Sequence, residues 1–193
     1  MTPTASRQAV ERENRGFLGD SFHVGADGEI WVIDSIRVWV ARNSAASCPA
    51  KLGDQISKIT LYGALENPPV PGEPECNCHA LVPVRSAPLE KGSDRSGAQS
   101  VKITPAGAFW QIDFEDVRWS LPGNVNVLFG LRATAGAKTG CTAAKEWSLS
   151  ASPAEAGYRL RLFDKDLVPR GFAEPAAAPK WLNVQVRGHR DNP

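Results

Sequence analysis

Apolar and polar residues alternate with period two through most of the chain, and the clearest run is Phe109 to Leu131, FWQIDFEDVRWSLPGNVNVLFGL. A strand shows successive side chains to opposite faces, so this run predicts two long strands joined by a tight Leu121-Pro122-Gly123-Asn124 turn. Trp110, Ile112 and Phe114 share one parity, whereas Val117, Trp119 and Leu121 share the other. Both sets reach one core only if an extra residue resets the phase, which places a β-bulge at Glu115-Asp116. After the turn, Val125, Val127, Phe129 and Leu131 alternate with Asn124, Asn126, Gly130 and Arg132, the pattern of a strand with one wet face. Glu29 to Arg42 (EIWVIDSIRVWVAR) repeats the phase jump. Trp31 and Ile33 share one parity and Ile36, Val38 and Val40 the other, with the reset at Asp34-Ser35.

The same reading extends to shorter segments. Gly16 to Val24 (GFLGDSFHV) is a strand followed by an Ala26-Asp27-Gly28 turn with the Asp-Gly signal of a hairpin. Gln55 to Gly63 follows, with Ile59 and Leu61 inward and Lys58, Thr60 and Tyr62 outward. Gln99 to Thr104, Glu146 to Ser150, Gly157 to Phe163 and Trp181 to Gly188 complete the strands, the last with Leu182, Val184 and Val186 inward. Ala64 to Ala98 is rich in proline and turn residues and leaves room for one short strand, near Ala80 to Arg85. An insertion this long is usually functional or covalently pinned. Residues 1–15 (Met1 to Arg15) carry no lasting apolar stripe and read as a flexible N-terminal arm. Residues 16–193 read as a single domain. The predicted fold is all-β: an antiparallel β-sandwich, jelly-roll-like, of about eight or nine strands with a long Pro-rich insertion and no helix.

At 193 residues and 42% hydrophobic content the chain can build one large sandwich core. Lys plus Arg is 22 and Asp plus Glu is 21, so no global field draws it to nucleic acid or an anionic membrane. No apolar run approaches the roughly 18 residues that would span a bilayer. The polar start, MTPTASRQAVERENRG, lacks the apolar centre of a signal peptide, so the chain is either cytoplasmic or an exported protein without its leader. Four cysteines, one methionine, 17 glycines and 15 prolines favour export, to a secreted or cell-surface location.

The succession GDSFHVG, EIWVIDSIRVWV, ISKITLYG, FWQIDFEDVRW-LPG-NVNVLFGL and WLNVQVRG resembles the jelly-roll-like modules of secreted bacterial proteins. Such modules open with an Asp-x-Phe strand, continue with Trp-x-Ile-Asp-Ser and close with Asn-x-Gln-Val-x-Gly. The likeness covers roughly Gly16 to Gly188, and the Pro-rich Cys76 to His79 insertion departs from it. Those modules are accessory parts of surface proteins and carbohydrate-active enzymes. The resemblance therefore implies binding or architecture, a polysaccharide or cell-surface glycan as partner, and no catalytic residue.

Candidate chemistry is sparse. Cys48, Cys76, Cys78 and Cys141 are expected to form two disulfides, each contributing on the order of 3 kcal/mol. Cys76 and Cys78 are too close to pair easily, so each would bond to one of the other two. Free thiols are one alternative, and a zinc site adding His79, with poor spacing, is the other. Sugar rings stack on exposed aromatic faces. By parity Trp31, Trp110 and Trp119 point inward, while Trp39, Tyr62 and Trp181 point outward and are the candidate glycan-binding residues; the competing expectation is a small satellite core. Asp113 and Glu115 lie about 7 Å apart on one strand face, as an alternative glycoside hydrolase or lyase would need. Asp20, Asp164 and Asp166 could supply oxygens to structural Ca²⁺, although no Asp-x-Asp-x-Asp-Gly loop is present. No other cofactor is implied. Arg159, Arg161 and Arg187 read as a solvated basic face. A third expectation is a structural, self-assembling surface subunit whose N-terminal arm docks on a neighbour.

Overall fold

Period-two burial builds strands along nearly the whole chain. The structure, a computed structural model, describes residues 7–12, 16–42, 50–66, 80–135, 146–155, 160–164, 166–172 and 180–191. Its strands are β1 (Arg7–Arg12), β2 (Gly16–Val24), β3 (Ile30–Ala41), β4 (Ile56–Glu66), β5 (Val82–Pro88), β6 (Val101–Ala106) and β7 (Phe109–Phe114). They continue as β8 (Trp119–Pro122), β9 (Val125–Ala135), β10 (Glu146–Pro153), β11 (Arg161–Phe163), β12 (Pro169–Phe172), β13 (Lys180–Leu182) and β14 (Val184–Arg190). A single helical turn, α1 (Leu52–Gln55), precedes β4, and every strand pair among the described residues is antiparallel.

The fold is an all-β sandwich. One layer runs β5-β4-β9-β2, with β11 and then β12 beyond β2. The other is centred on β3. One edge of β3 pairs with β7 along Ile36–Ala41 and with β8 along Ile30–Ile33, and the remaining edge takes β14, with β10 meeting Val40. β1 pairs with both β2 and β10 and so ties the layers together at one end. A strand at Arg7–Arg12 replaces the expected flexible arm, because backbone hydrogen bonds on both flanks hold it without an apolar stripe.

Both phase resets are present. In β3 the register against β14 jumps from Ser35 to Ile33, leaving Asp34 as the extra residue, and Ile33 and Ile36 are both buried. In the partner, β7 ends at Phe114 and β8 begins at Trp119. Positive φ angles at Asp116 (52°) and Arg118 (51°) turn the link, so the reset uses a longer irregular piece than a single bulge. Ile112, Phe114, Val117 and Leu121 all enter the core, with half-buried Trp119 packed against it. Ile59, Leu61, Val127, Phe129 and Leu131 join them from the opposing layer. On the outer face of that layer Ala64, Leu81, Leu128 and Phe163 form a small second cluster, against which Tyr62 and Leu167 pack.

Candidate functional site

Three strands converge at one side of the sandwich. Among the described residues, the edge of β2 opposite β9 carries β11 only along Phe17–Gly19, and β14 is the outermost strand beside Trp31–Val38 of β3. Between these edges lies a cleft of about 460 Å³, lined by residues that include Phe22, His23, Trp31, Ile33, Val186 and Arg187. Small-molecule sites usually occupy about 300–1,000 Å³. Two residues before Phe22 on β2, Asp20 faces inward and is buried. Its Oδ2 accepts the Leu182 N–H at 2.6 Å and its Oδ1 accepts the Ser21 N–H at 2.8 Å, pinning β2 to β13. Next along β2, Phe22 packs against Phe129 with ring centroids 6.1 Å apart.

The Trp31 indole is fixed on two sides. Its Nε1–H donates to Glu29 Oε2 at 2.8 Å, which also accepts the Ala26 N–H at 2.8 Å, and Arg190 Nη1 lies 3.1 Å from Glu29 Oε1. The Ala26 N–H and the Trp31 indole hold the Glu29 carboxyl below the ordinary glutamate range, with Arg190 adding to the effect. Against the ring lies Gly25, at φ +55°, where an added Cβ would stand 2.3 Å from Trp31 Nε1. A side chain there is excluded twice, by space and by left-handed backbone. On the rim, His23 Nε2 donates to the Gly25 carbonyl at 3.1 Å while Nδ1 meets the Asn126 side-chain amide at 3.1 Å. The bulge in β3 brings Gly188 opposite Ile33, and Asp34 accepts from His189 Nδ1 at 2.9 Å. That bond, then the Asp34 charge, raises the His189 pKa above the ordinary histidine value.

The residues singled out from sequence are placed elsewhere. Trp39 follows the expected parity, sharing the outer face of Arg37, Asp113 and Gln111, yet it is 4% exposed, so the expectation that it shows its ring to solvent is corrected. Tyr62 is half-buried in the small cluster of the opposite layer, the satellite-core arrangement. Trp181 is exposed at 41% on β13. None of the three lines the cleft, and Trp39 and Tyr62 lie on different layers. Asp113 accepts from Arg37 Nε and, at 2.8 Å, from Gln111 Nε2, while Glu115 pairs with Lys102 Nζ at 2.8 Å. The two carboxylates therefore each have a cation of their own.

Asp20 is committed to the backbone, whereas Asp164 accepts the Val168 and Asp166 N–H groups and the Arg170 guanidinium within its own turn. Asp20 is therefore not gathered with Asp164 and Asp166 into the expected Ca²⁺ set, and no cluster of three or more metal-binding side chains exists among the described residues. Arg161 pairs with Glu66 at 2.6 Å, so the Arg159–Arg161–Arg187 face is not a continuous solvated strip. Cys48, Cys76, Cys78, Cys141, His79 and Arg159 lie outside the described residues. No helix among the described residues is long and apolar enough to cross a membrane.

Sequence reasoning missed Trp31, Phe22 and Arg187 as site residues. The available signal was the trio of motif strands: Asp20-x-Phe22, Trp31-x-Ile33 and Val184-x-Val186-x-Gly188 all meet at the cleft.

Fold and site together define an antiparallel β-sandwich with a cleft between two sheet edges. No family model and no curated protein matches the chain. Among solved structures it is similar to the cysteine protease and lectin-like domains of Cwp84, a surface layer associated protein of Clostridium difficile, with a TM-score of 0.47 and 13% identity. That likeness covers 96% of this chain and 36% of the other.

Proposed function

We propose that this protein is a secreted, non-catalytic binding module that recognises glycan or cell-surface material through the cleft between β2 and β14. The observation that carries the reading is the pre-set Trp31 ring, held by Glu29 and Gly25 in a cleft whose walls are apolar and whose rim is polar. A sugar residue needs that combination, an aromatic surface for its C–H face and polar groups for its hydroxyls. Fixing the ring before the ligand arrives lowers the ordering cost of binding. The ion pairs of Asp113 with Arg37 and of Glu115 with Lys102 favour a binding role over hydrolysis, because a glycosidase needs one carboxyl able to give up a proton and another free to attack or activate water.

The test is a panel of neutral and acidic polysaccharides titrated against the full chain by calorimetry. Binding is expected to at least one, weakened about tenfold or more by Val186→Phe, which fills the cleft, and by Trp31→Ala. Val186→Phe keeps every hydrogen bond of the Trp31 frame, so a folding defect in Trp31→Ala does not blur the result. Binding that survives Val186→Phe but fails in Trp181→Ala moves the site to β13, and reducing ends released during the titration restore the hydrolase reading.

A further inference from the structure

The cleft changes character along its length. Trp31 pairs with Arg190 at one end of the β3–β14 ladder and Val38 with Val184 at the other, so the indole and Gly25 mark one end while Ile33, Val186 and Val184 continue from them. From Gly188 to Val184 this aliphatic stretch covers about 13 Å at the spacing of an extended strand. Alternation turns Phe22, Val24, Val184 and Val186 inward and sends their polar neighbours His23, Gln185 and Arg187 to the outer faces. Among the lining side chains the remaining polar atom, Trp31 Nε1, already donates to Glu29 at 2.8 Å. Every side-chain donor and acceptor of the lining is therefore outside the cleft or committed. A ligand hydroxyl carried past Trp31 would leave water and meet no side-chain replacement, whereas a methylene gains by leaving water there.

We propose that the cleft takes an acylated sugar, whose ring lies at Trp31 and whose alkyl chain runs along Ile33, Val186 and Val184. This rests on the glycan reading above and adds to it an apolar substituent as the part of the ligand that fills the cleft. The volume of about 460 Å³ is then shared between the two parts.

The experiment titrates the full chain by calorimetry with methyl, butyl, hexyl and octyl glycosides of glucose, galactose and N-acetylglucosamine, all below their micelle concentrations. For at least one sugar the affinity is expected to rise about threefold with each added methylene until the cleft is full. Val186→Phe should flatten that series, and Val168→Phe, the same change at an exposed position of the opposite layer, should leave it intact. Octyl tetraethylene glycol ether carries the same chain on a head without a ring, and should bind about tenfold more weakly than the best octyl glycoside. A methyl glycoside that binds as tightly as its octyl counterpart overturns the apolar substituent and leaves the glycan reading standing. A chain-length dependence that persists in Val186→Phe overturns the placement in this cleft. Equal binding of the octyl ether and the octyl glycosides overturns the glycan reading and the acylated sugar with it, leaving a site for a plain alkyl chain. Absence of binding by every octyl glycoside overturns the acylated sugar, and the polysaccharide panel then decides the glycan reading by itself.

Discussion

Gly25 and Trp31 are coupled so closely that a single methyl group tests the site. Gly25→Ala must place a Cβ against the indole and hold a non-glycine residue at φ +55°, a conformation costing on the order of 1–3 kcal/mol. The variant should unfold at lower denaturant concentration and lose ligand affinity together, whereas Gly28→Ala, with open space around its Cβ position and φ +79°, should show only the backbone cost. Chemical denaturation followed by calorimetry separates the two. His189 offers a second residue-level test. Its folded pKa is raised, so the pairing with Asp34 stabilises the fold fully below the unfolded histidine value and is lost as pH climbs through the folded one. An NMR titration should show His189 losing its proton above the ordinary histidine range in the native chain and returning toward that range in Asp34→Asn.

At the scale of elements, the strands with the strongest alternation were legible in the sequence. Gly16 to Val24 is β2 residue for residue, and both phase resets fall where parity required them, because burying Ile33 and Ile36 on one face allows no other solution. Parity reports which face of its own strand a residue takes; it is silent on what lies over that face. For that reason Trp39 points outward as expected and is nonetheless buried, and Tyr62 sits in a satellite cluster. β1 was illegible for a different reason: RQAVER has no alternation, and the strand exists through main-chain pairing with β2 and β10. Removing residues 1–12 should therefore lower the melting temperature by several degrees, since each kcal/mol shifts it about 2–4 °C in a domain of this size. A melting temperature unchanged by the truncation would return the segment to the role of a passive arm.

The whole molecule is held at its cleft side by an interior polar clamp. Asp20 is an acidic side chain among core residues, and its two oxygens tie β2 to itself and to β13 of the facing layer. Asp20→Ala should cost about 1–3 kcal/mol, the price of leaving buried N–H groups unpaired, and should loosen the cleft as well as the fold. Asp20→Asn, which keeps an acceptor oxygen, should fall between the two in denaturant titrations. The site was hard to read from the chain because no single segment contains it. Phe22, Trp31 and Val186 are far apart in sequence and meet only when two layers are superposed and one bulge has shifted the register. The flank of β14 away from β3, and that of β2 beyond Gly19, which have no strand partner among the described residues, also present main-chain amides and carbonyls at the lips of the opening. Hydroxyl recognition can then be carried by atoms that no substitution deletes. Ligand preference would drift slowly as side chains diverge, and alanine scanning would count fewer determinants than backbone ester replacement along the same two strands.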